Sequence, residues 1–208
     1  MPRPRSEDRR NAILSAATRV MAAHGLGAAT ATIAREAAVS NGSLFLYFET
    51  KATLVNELYV DLKTEMAAAA VEGFNVDDDI REQFRHMWDR WLRWATTYPE
   101  KRRTLAQLDV SEDITADSHQ AVSHALSGVA ELLERSRIDG PMQDAPLGFV
   151  LSLTNAIAEA TIDAMIREPD QAGLHSSVGF DAMWRVLAGT HSPVTATTMT
   201  TAERERHD

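Results

Sequence analysis

The chain has 208 residues with 30 acidic and 21 basic side chains, a formal charge of −9 that excludes a generally basic, non-specific polyanion binder. The charge is uneven: residues 1–51 hold seven basic and four acidic groups, whereas residues 52–208 hold 14 and 26, so one end suits a polyanion and the rest does not. With no cysteine there is no disulfide framework, thiolate nucleophile or Cys-ligated zinc. Ser15, Thr18, Arg19 and His24 interrupt the first apolar stretch, so neither a signal peptide nor a membrane span is expected, and the expected location is the cytoplasm.

Helical periodicity dominates and no alternating pattern with hairpin signals occurs, which predicts an all-α fold. A first helix over residues 7–24 places Ala12, Ile13, Ala16, Ala17, Val20 and Met21 on one face, and Gly25 and Gly27 end it. A short helix over 32–38, a turn at Val39-Ser40-Asn41-Gly42 and a short apolar run to Phe48 follow. Residues 51–73 read as a long connecting helix, with Leu54, Leu58, Leu62 and Met66 near helical spacing. Gly73 and three aspartates mark a boundary, and Asp79 can cap the next helix. There Ile80, Phe84, Met87, Trp88, Trp91, Trp94, Ala95 and Tyr98 fall within an arc of about 120°. Pro99 closes that helix, and helices over 100–108 and 115–137 are expected before Asp139-Gly140-Pro141. A helix opened by Pro146 and running to Glu168 is apolar nearly all round, so it is either central or also a subunit interface. A last helix spans about 175–188, and the Thr-rich tail 190–208 has no apolar period and is expected to be disordered.

Two short helices joined by a tight turn, in the basic region, are the parts of a helix-turn-helix. Asn41, Gly42 and Ser43 open the second helix with hydrogen-bonding tips and a bare backbone, which suits base edges in a major groove. Tyr47 and Lys51 lie one and two turns on, placed for phosphate oxygens, and Arg3 and Arg5 on an N-terminal arm suit an adjacent minor groove.

The segment from Ile33 through Ala34, Ala37, Val39, Ser40, Gly42, Ser43, Leu44, Tyr47 and Phe48 to Lys51, followed by Leu54, resembles the DNA-binding signature of the tetracycline-repressor-like (TetR) transcriptional regulators. The resemblance covers residues 7–60 by motif and the remainder by helix count and layout. It implies a homodimeric repressor of about nine helices, with an arm and DNA-binding domain over 1–50, a connecting helix over 51–73, and a ligand-binding and dimerisation domain over 74–189. It also implies release from a near-palindromic operator when a small hydrophobic or aromatic effector binds, with no cofactor, no catalysis and no membrane partner. Asn41, Gly42, Ser43, Tyr47 and Lys51 then take the DNA-contacting roles together with Thr30 and Thr32 at the start of the second helix. Phe149, Leu153 and Ile157 with Met183, Trp184 and Leu187 become the dimer interface.

Three positions depart from the pattern. Ala38 replaces the usual turn glycine, which implies a tighter or displaced turn; Phe45 stands where a tyrosine hydroxyl is common; and Ala29 stands where a Ser or Thr caps the second helix, shifting that task to Thr30 or Thr32.

The aromatic face has two readings. Phe84, Met87, Trp88 and Trp91, with Leu108, either fill a core or line an effector cavity, and Asn155 and Glu159 either point a polar group into that cavity or face solvent. His119 and His124 lie about 140° apart round a helix and cannot share a metal on one face, and Glu112, Asp113 and Asp117 read as a solvated loop and helix start. No nucleophile elbow, Ser-His-Asp order or phosphate loop is present, which weighs against an enzyme. An effector-independent DNA-binding regulator, and an all-α ligand-binding protein or enzyme, remain as alternatives.

Overall fold

The computed structural model describes residues 4–189, and side chains from residue 7. Arg3 and the tail 190–208 therefore lie outside the described residues. Within them the chain is all-helical, with ten α-helices and one 3-10 turn: α1 Pro4–His24, α2 Thr30–Glu36, α3 Asn41–Tyr47, α4 Lys51–Val71, α5 Ile80–Thr97, α6 Pro99–Leu108, α7 Ala116–Ala125, α8 Ser127–Ser136, α9 Leu147–Arg167 and α10 Ala172–Ala188.

Four boundaries differ from the sequence-based expectation. α1 starts at Pro4, a residue whose fixed φ suits a first helical turn, so Arg5 belongs to the helix and not to an arm. α2 starts at Thr30 behind Ala29, which makes no side-chain cap bond, so neither Thr30 nor Thr32 takes over that task. The single helix expected over 115–137 is two, parted at Leu126, where Ser123, Ser127 and Gly128 crowd weak helix formers together. Finally α10 begins at Ala172, because Pro169 opens a 3-10 turn that runs directly into it.

α1, α2 and α3 form a headpiece around Ile13, Ala17, Ile33, Leu44 and Phe48, all buried, with Leu54 and Leu58 of α4 closing the same cluster. Arg10 of α1 meets Glu57 of α4 at 2.5 Å and lies over the Phe48 ring, tying the headpiece to α4. In the body α5 is the central rod and packs against α4, α8, α9 and α10. Its Phe84, Met87, Trp88 and Leu92 are buried against Phe180, Met183 and Leu187 of α10 and Val150, Ala158 and Ile162 of α9. At roughly 1.5–3 kcal/mol for each large apolar side chain removed from water, this cluster dominates the body's stability. α9 is long and apolar enough by length and composition to cross a bilayer, yet one side of it is packed in this core.

Gly179 of α10 explains how closely α9 and α10 approach: a Cβ there would fall 2.3 Å from the Thr161 hydroxyl oxygen on α9. Any side chain at 179 forces the two helices apart.

Candidate nucleic-acid interface, ligand cavity and subunit face

The turn between α2 and α3 is built from backbone bonds. The Val39 N–H donates to the Ala34 carbonyl at 2.9 Å and the Ala38 N–H to the Arg35 carbonyl at 3.1 Å, the pair of bonds that closes a helix through a left-handed residue. That residue is Ala38, with φ +54°. The alanine is thus held in the left-handed conformation that favours glycine, at a cost of roughly 1–2 kcal/mol. Ser40 then caps α3: its hydroxyl accepts from the Ser43 N–H at 3.0 Å and donates to the Ser43 hydroxyl at 2.8 Å.

α3 buries Leu44 against the headpiece, and Phe48 follows as its buried anchor. At about 100° per residue, Asn41, Phe45, Gly42 and Leu46 occupy one continuous outward arc, and all four are exposed. Leu46 is 85 % exposed. Ser43 and Tyr47 lie together beyond the Leu46 edge of this arc and are half-buried, as are Thr30 and Thr32. The expected DNA-contacting residues Asn41 and Gly42 therefore stand at the front of the helix and Ser43 and Tyr47 at one edge. Phe45 and Leu46 complete the face; Phe45 was noted from the sequence only as a departure from the pattern and Leu46 not at all, and winding α3 from its buried Leu44 would have placed both.

Lys51 is the first residue of α4, behind the Thr50 cap whose hydroxyl accepts from the Thr53 N–H at 3.0 Å. A cation at a helix N-terminus opposes the helix dipole, and among the described residues no carboxylate pairs with it.

On the body, an open cavity of about 410 Å³ lies among α4, α5, α8 and α9, with Met66, Ala70, Met87, Trp91, Leu133 and Asn155 in its walls. A smaller space of about 190 Å³ adjoins it and shares Trp91 and Asn155, with Glu159 at its far side. Met87, Trp91, Asn155 and Glu159 thus border cavity space. Phe84, Trp88 and Leu108 line neither of these two spaces and are fully buried. The Trp88 indole N–H donates to the Ser176 carbonyl at 3.2 Å, so that ring is satisfied within the core. Glu159 is half-exposed and already paired, because Arg102 donates to it through Nε at 2.8 Å and also reaches Asp163 at 2.6 Å. Burial works to lower the Arg102 pKa, but the hydrogen bonds to Glu159 and Asp163 outweigh it and hold the guanidinium above its ordinary value.

Nearer the headpiece, a more polar cleft of about 590 Å³ lies between α1 and the α5–α6 corner. Burial raises the Asp61 pKa there, and its neighbours Glu65 and Lys101 pair at 2.5 Å. No group of three His, Asp or Glu side chains able to hold a metal ion occurs among the described residues.

The outer side of α9 and α10 carries a second apolar surface. Phe149, Ala156 and Ala160 of α9 and Leu174, Val178 and Ala182 of α10 are exposed, with Leu153 and Ile157 half-buried between them. Of the residues expected at a subunit interface, Met183 and Leu187 are instead fully buried in their own chain. Trp184 stacks on Phe180 at 6.1 Å on the side of α10 that faces α5. Met183 and Leu187 point inward and Trp184 lies half-buried at the edge, because α10 has two apolar stripes and the bulkier one fills the core.

Residues 13–58 match the family model for bacterial regulatory proteins, tetR family. The chain is similar over 85 % of its length to 96 % of a putative tetR family transcription regulator from Shewanella sp. PV-4, at 26 % identity and a TM-score of 0.77. It is similar over 89 % of its length to 98 % of a TetR family transcription regulator from Marinobacter aquaeolei VT8, at 21 % identity and a TM-score of 0.75. The fold is also shared with the transcriptional regulator FadR from Bacillus subtilis in complex with stearoyl-CoA, at 15 % identity, 87 % and 99 % coverage and a TM-score of 0.64. Residues 13–58 thus match the tetR family model, and the chain as a whole is similar in fold to solved TetR family transcription regulators.

Proposed function

We propose that the chain acts in the cytoplasm as a homodimeric repressor that binds a near-palindromic operator and leaves it when a small apolar effector enters the body. The observation that carries this reading is the double use of α4. Its first turn presents Lys51 beside the recognition helix, and its later turns supply Lys63, Met66, Ala67 and Ala70 to the cavity wall. A helix of 21 residues is about 30 Å long, so a ligand that shifts its far end moves the headpiece as a lever.

Two further observations support the assembly. The exposed apolar stripes of α9 and α10 form a surface that a second copy of the same surface can cover. Small molecules are held by a protein of this fold, as the FadR complex with stearoyl-CoA illustrates. Base contacts are assigned to Asn41, Gly42 and Ser43 and phosphate contacts to Tyr47 and Lys51, with Thr30, Thr32, Arg3 and Arg5 at the margins. The two recognition helices of a dimer then meet successive major grooves about 34–36 Å apart or somewhat more.

Sedimentation of the purified protein with a labelled selected operator tests the reading. Two chains per operator are expected, and one chain per site at saturating protein contradicts the dimer.

A further inference from the structure

The charges around the cavity narrow what can fill it. The larger and smaller spaces are two lobes bordered in common by Lys63, Met66, Trp91, Asp109 and Asn155. Their ionised side chains are Lys63, Asp109, Arg102 and Glu159, two of each sign, and they are already matched. Lys63 meets Asp109 at 2.8 Å, and Arg102 holds Glu159 at 2.5 Å. A ligand bearing net charge would give up its hydration against a lining with no charge left to compensate it.

Hydrogen-bonding capacity points to one place. Ser152 and Thr154 donate to carbonyls of their own helix, at 2.9 and 2.8 Å. Asn155 borders both lobes, is exposed, and makes no side-chain hydrogen bond to the described residues, so its amide is free to offer both a donor and an acceptor to a ligand in place of water. Beside it the half-buried Trp91 ring stands edge-on to Trp88 and leaves a flat surface bordering both lobes.

We propose that the two lobes take one uncharged ligand made of two apolar parts joined by a hydrogen-bonding link, the link lying at Asn155 and one part against Trp91. This rests on the reading of the cavity as the effector site. The lobe volumes, about 410 and 190 Å³, favour parts of unequal size.

Two dyes of one scaffold test it. N-phenyl-1-naphthylamine is uncharged and joins a small and a large aromatic part through an N–H; 8-anilino-1-naphthalenesulfonate is the same molecule with an added anion. Each is titrated by fluorescence into the wild-type chain and into Ser152→Trp, which places an indole in the larger lobe from an exposed position. Ala106→Trp blocks the smaller lobe from the exposed side of α6 and serves if Ser152→Trp does not fold. The expected result is saturable binding of the neutral dye that either block removes, at least tenfold weaker block-sensitive binding of the sulfonate, and about a tenfold loss for the neutral dye in Asn155→Leu. Equal or tighter block-sensitive binding of the sulfonate overturns the uncharged class but keeps the cavity as a ligand site. Unchanged affinity in a folded Asn155→Leu overturns the assigned link. Block-sensitive binding of neither dye overturns the effector-site reading itself, and the proposal with it.

Discussion

Lys63 on α4 and Asp109 at the end of α6 pair at 2.8 Å, and the same carboxylate lies beside the hydroxyl of Tyr59, one turn earlier on α4. Burial, together with the charge of Asp109 and a hydrogen bond to it, pushes the Tyr59 phenol up to about 12. An unfolded tyrosine ionises near pH 10. Between about pH 10 and 12 the native chain therefore keeps a proton that the unfolded chain loses, and stability falls as pH rises through that window. A phenolate absorbance step near pH 12 is predicted, absent from Tyr59→Phe, whose stability falls less steeply above about pH 10. A wild-type chain without that late step contradicts the Tyr59–Asp109 contact.

Ala38 in the left-handed region makes a stability prediction with a definite sign. Ala38→Gly relieves the steric cost at φ +54° and loses part of the gain to greater freedom in the unfolded chain. A net gain of about 1 kcal/mol is expected, which for a chain of this size raises Tm by roughly 2–4 °C in a thermal circular-dichroism scan. A lowered Tm shows that the turn does not hold Ala38 in that conformation.

These two cases show what the sequence conveys and what it does not. Helix types and the inner faces of α1, α4 and α5 were legible because apolar spacing reports which side of a helix leaves water. The same spacing does not report what that side meets. Phe84 and Trp91 lie on one face of α5, yet Phe84 is fully buried against Phe180 and Trp184 while Trp91 borders a void. On α10, Met183 and Leu187 form the larger stripe and lie inside, whereas Val178 and Ala182, beside the Gly179 contact with α9, lie outside. Packing in three dimensions decides between two apolar faces, and side-chain volume alone misleads. The motif around Asn41 and Lys51 was legible because it is local.

Leu46 carries a prediction about sequence reading. A leucine 85 % exposed on a recognition helix has no packing role in the chain, and apolar tips in a major groove read the thymine methyl. Leu46→Ala should leave Tm within about 1 °C, as expected for an exposed position, and weaken operator binding by roughly tenfold. Replacing single operator thymines with deoxyuracil, which lacks only the methyl, should reproduce that loss at one position, and the two changes together should cost no more than either alone. Additive losses at every thymine contradict the contact.

The outer face of α9 and α10 separates from the core by mutation. Val178→Asp puts a charge on the exposed stripe and should convert dimer to monomer in sedimentation velocity with little change in helicity. Met183→Ala should instead destabilise the fold by about 2–5 kcal/mol, the usual cost of truncating a buried methionine, without selectively dissociating the dimer. The opposite pattern returns the interface to the inner stripe.

The outward arc of α3, with Lys51 behind it, is expected to read DNA as a symmetric pair. In vitro selection of random duplexes by the purified full-length chain, repeated with the Lys51→Ala variant, tests it most directly. The predicted result is an enriched inverted repeat whose half-sites lie about one helical turn apart or somewhat more. Lys51→Ala should bind that repeat more weakly across all variants and with a shallower salt dependence. Selection of no common sequence, or of a single unrepeated half-site bound equally well by Lys51→Ala, would contradict it.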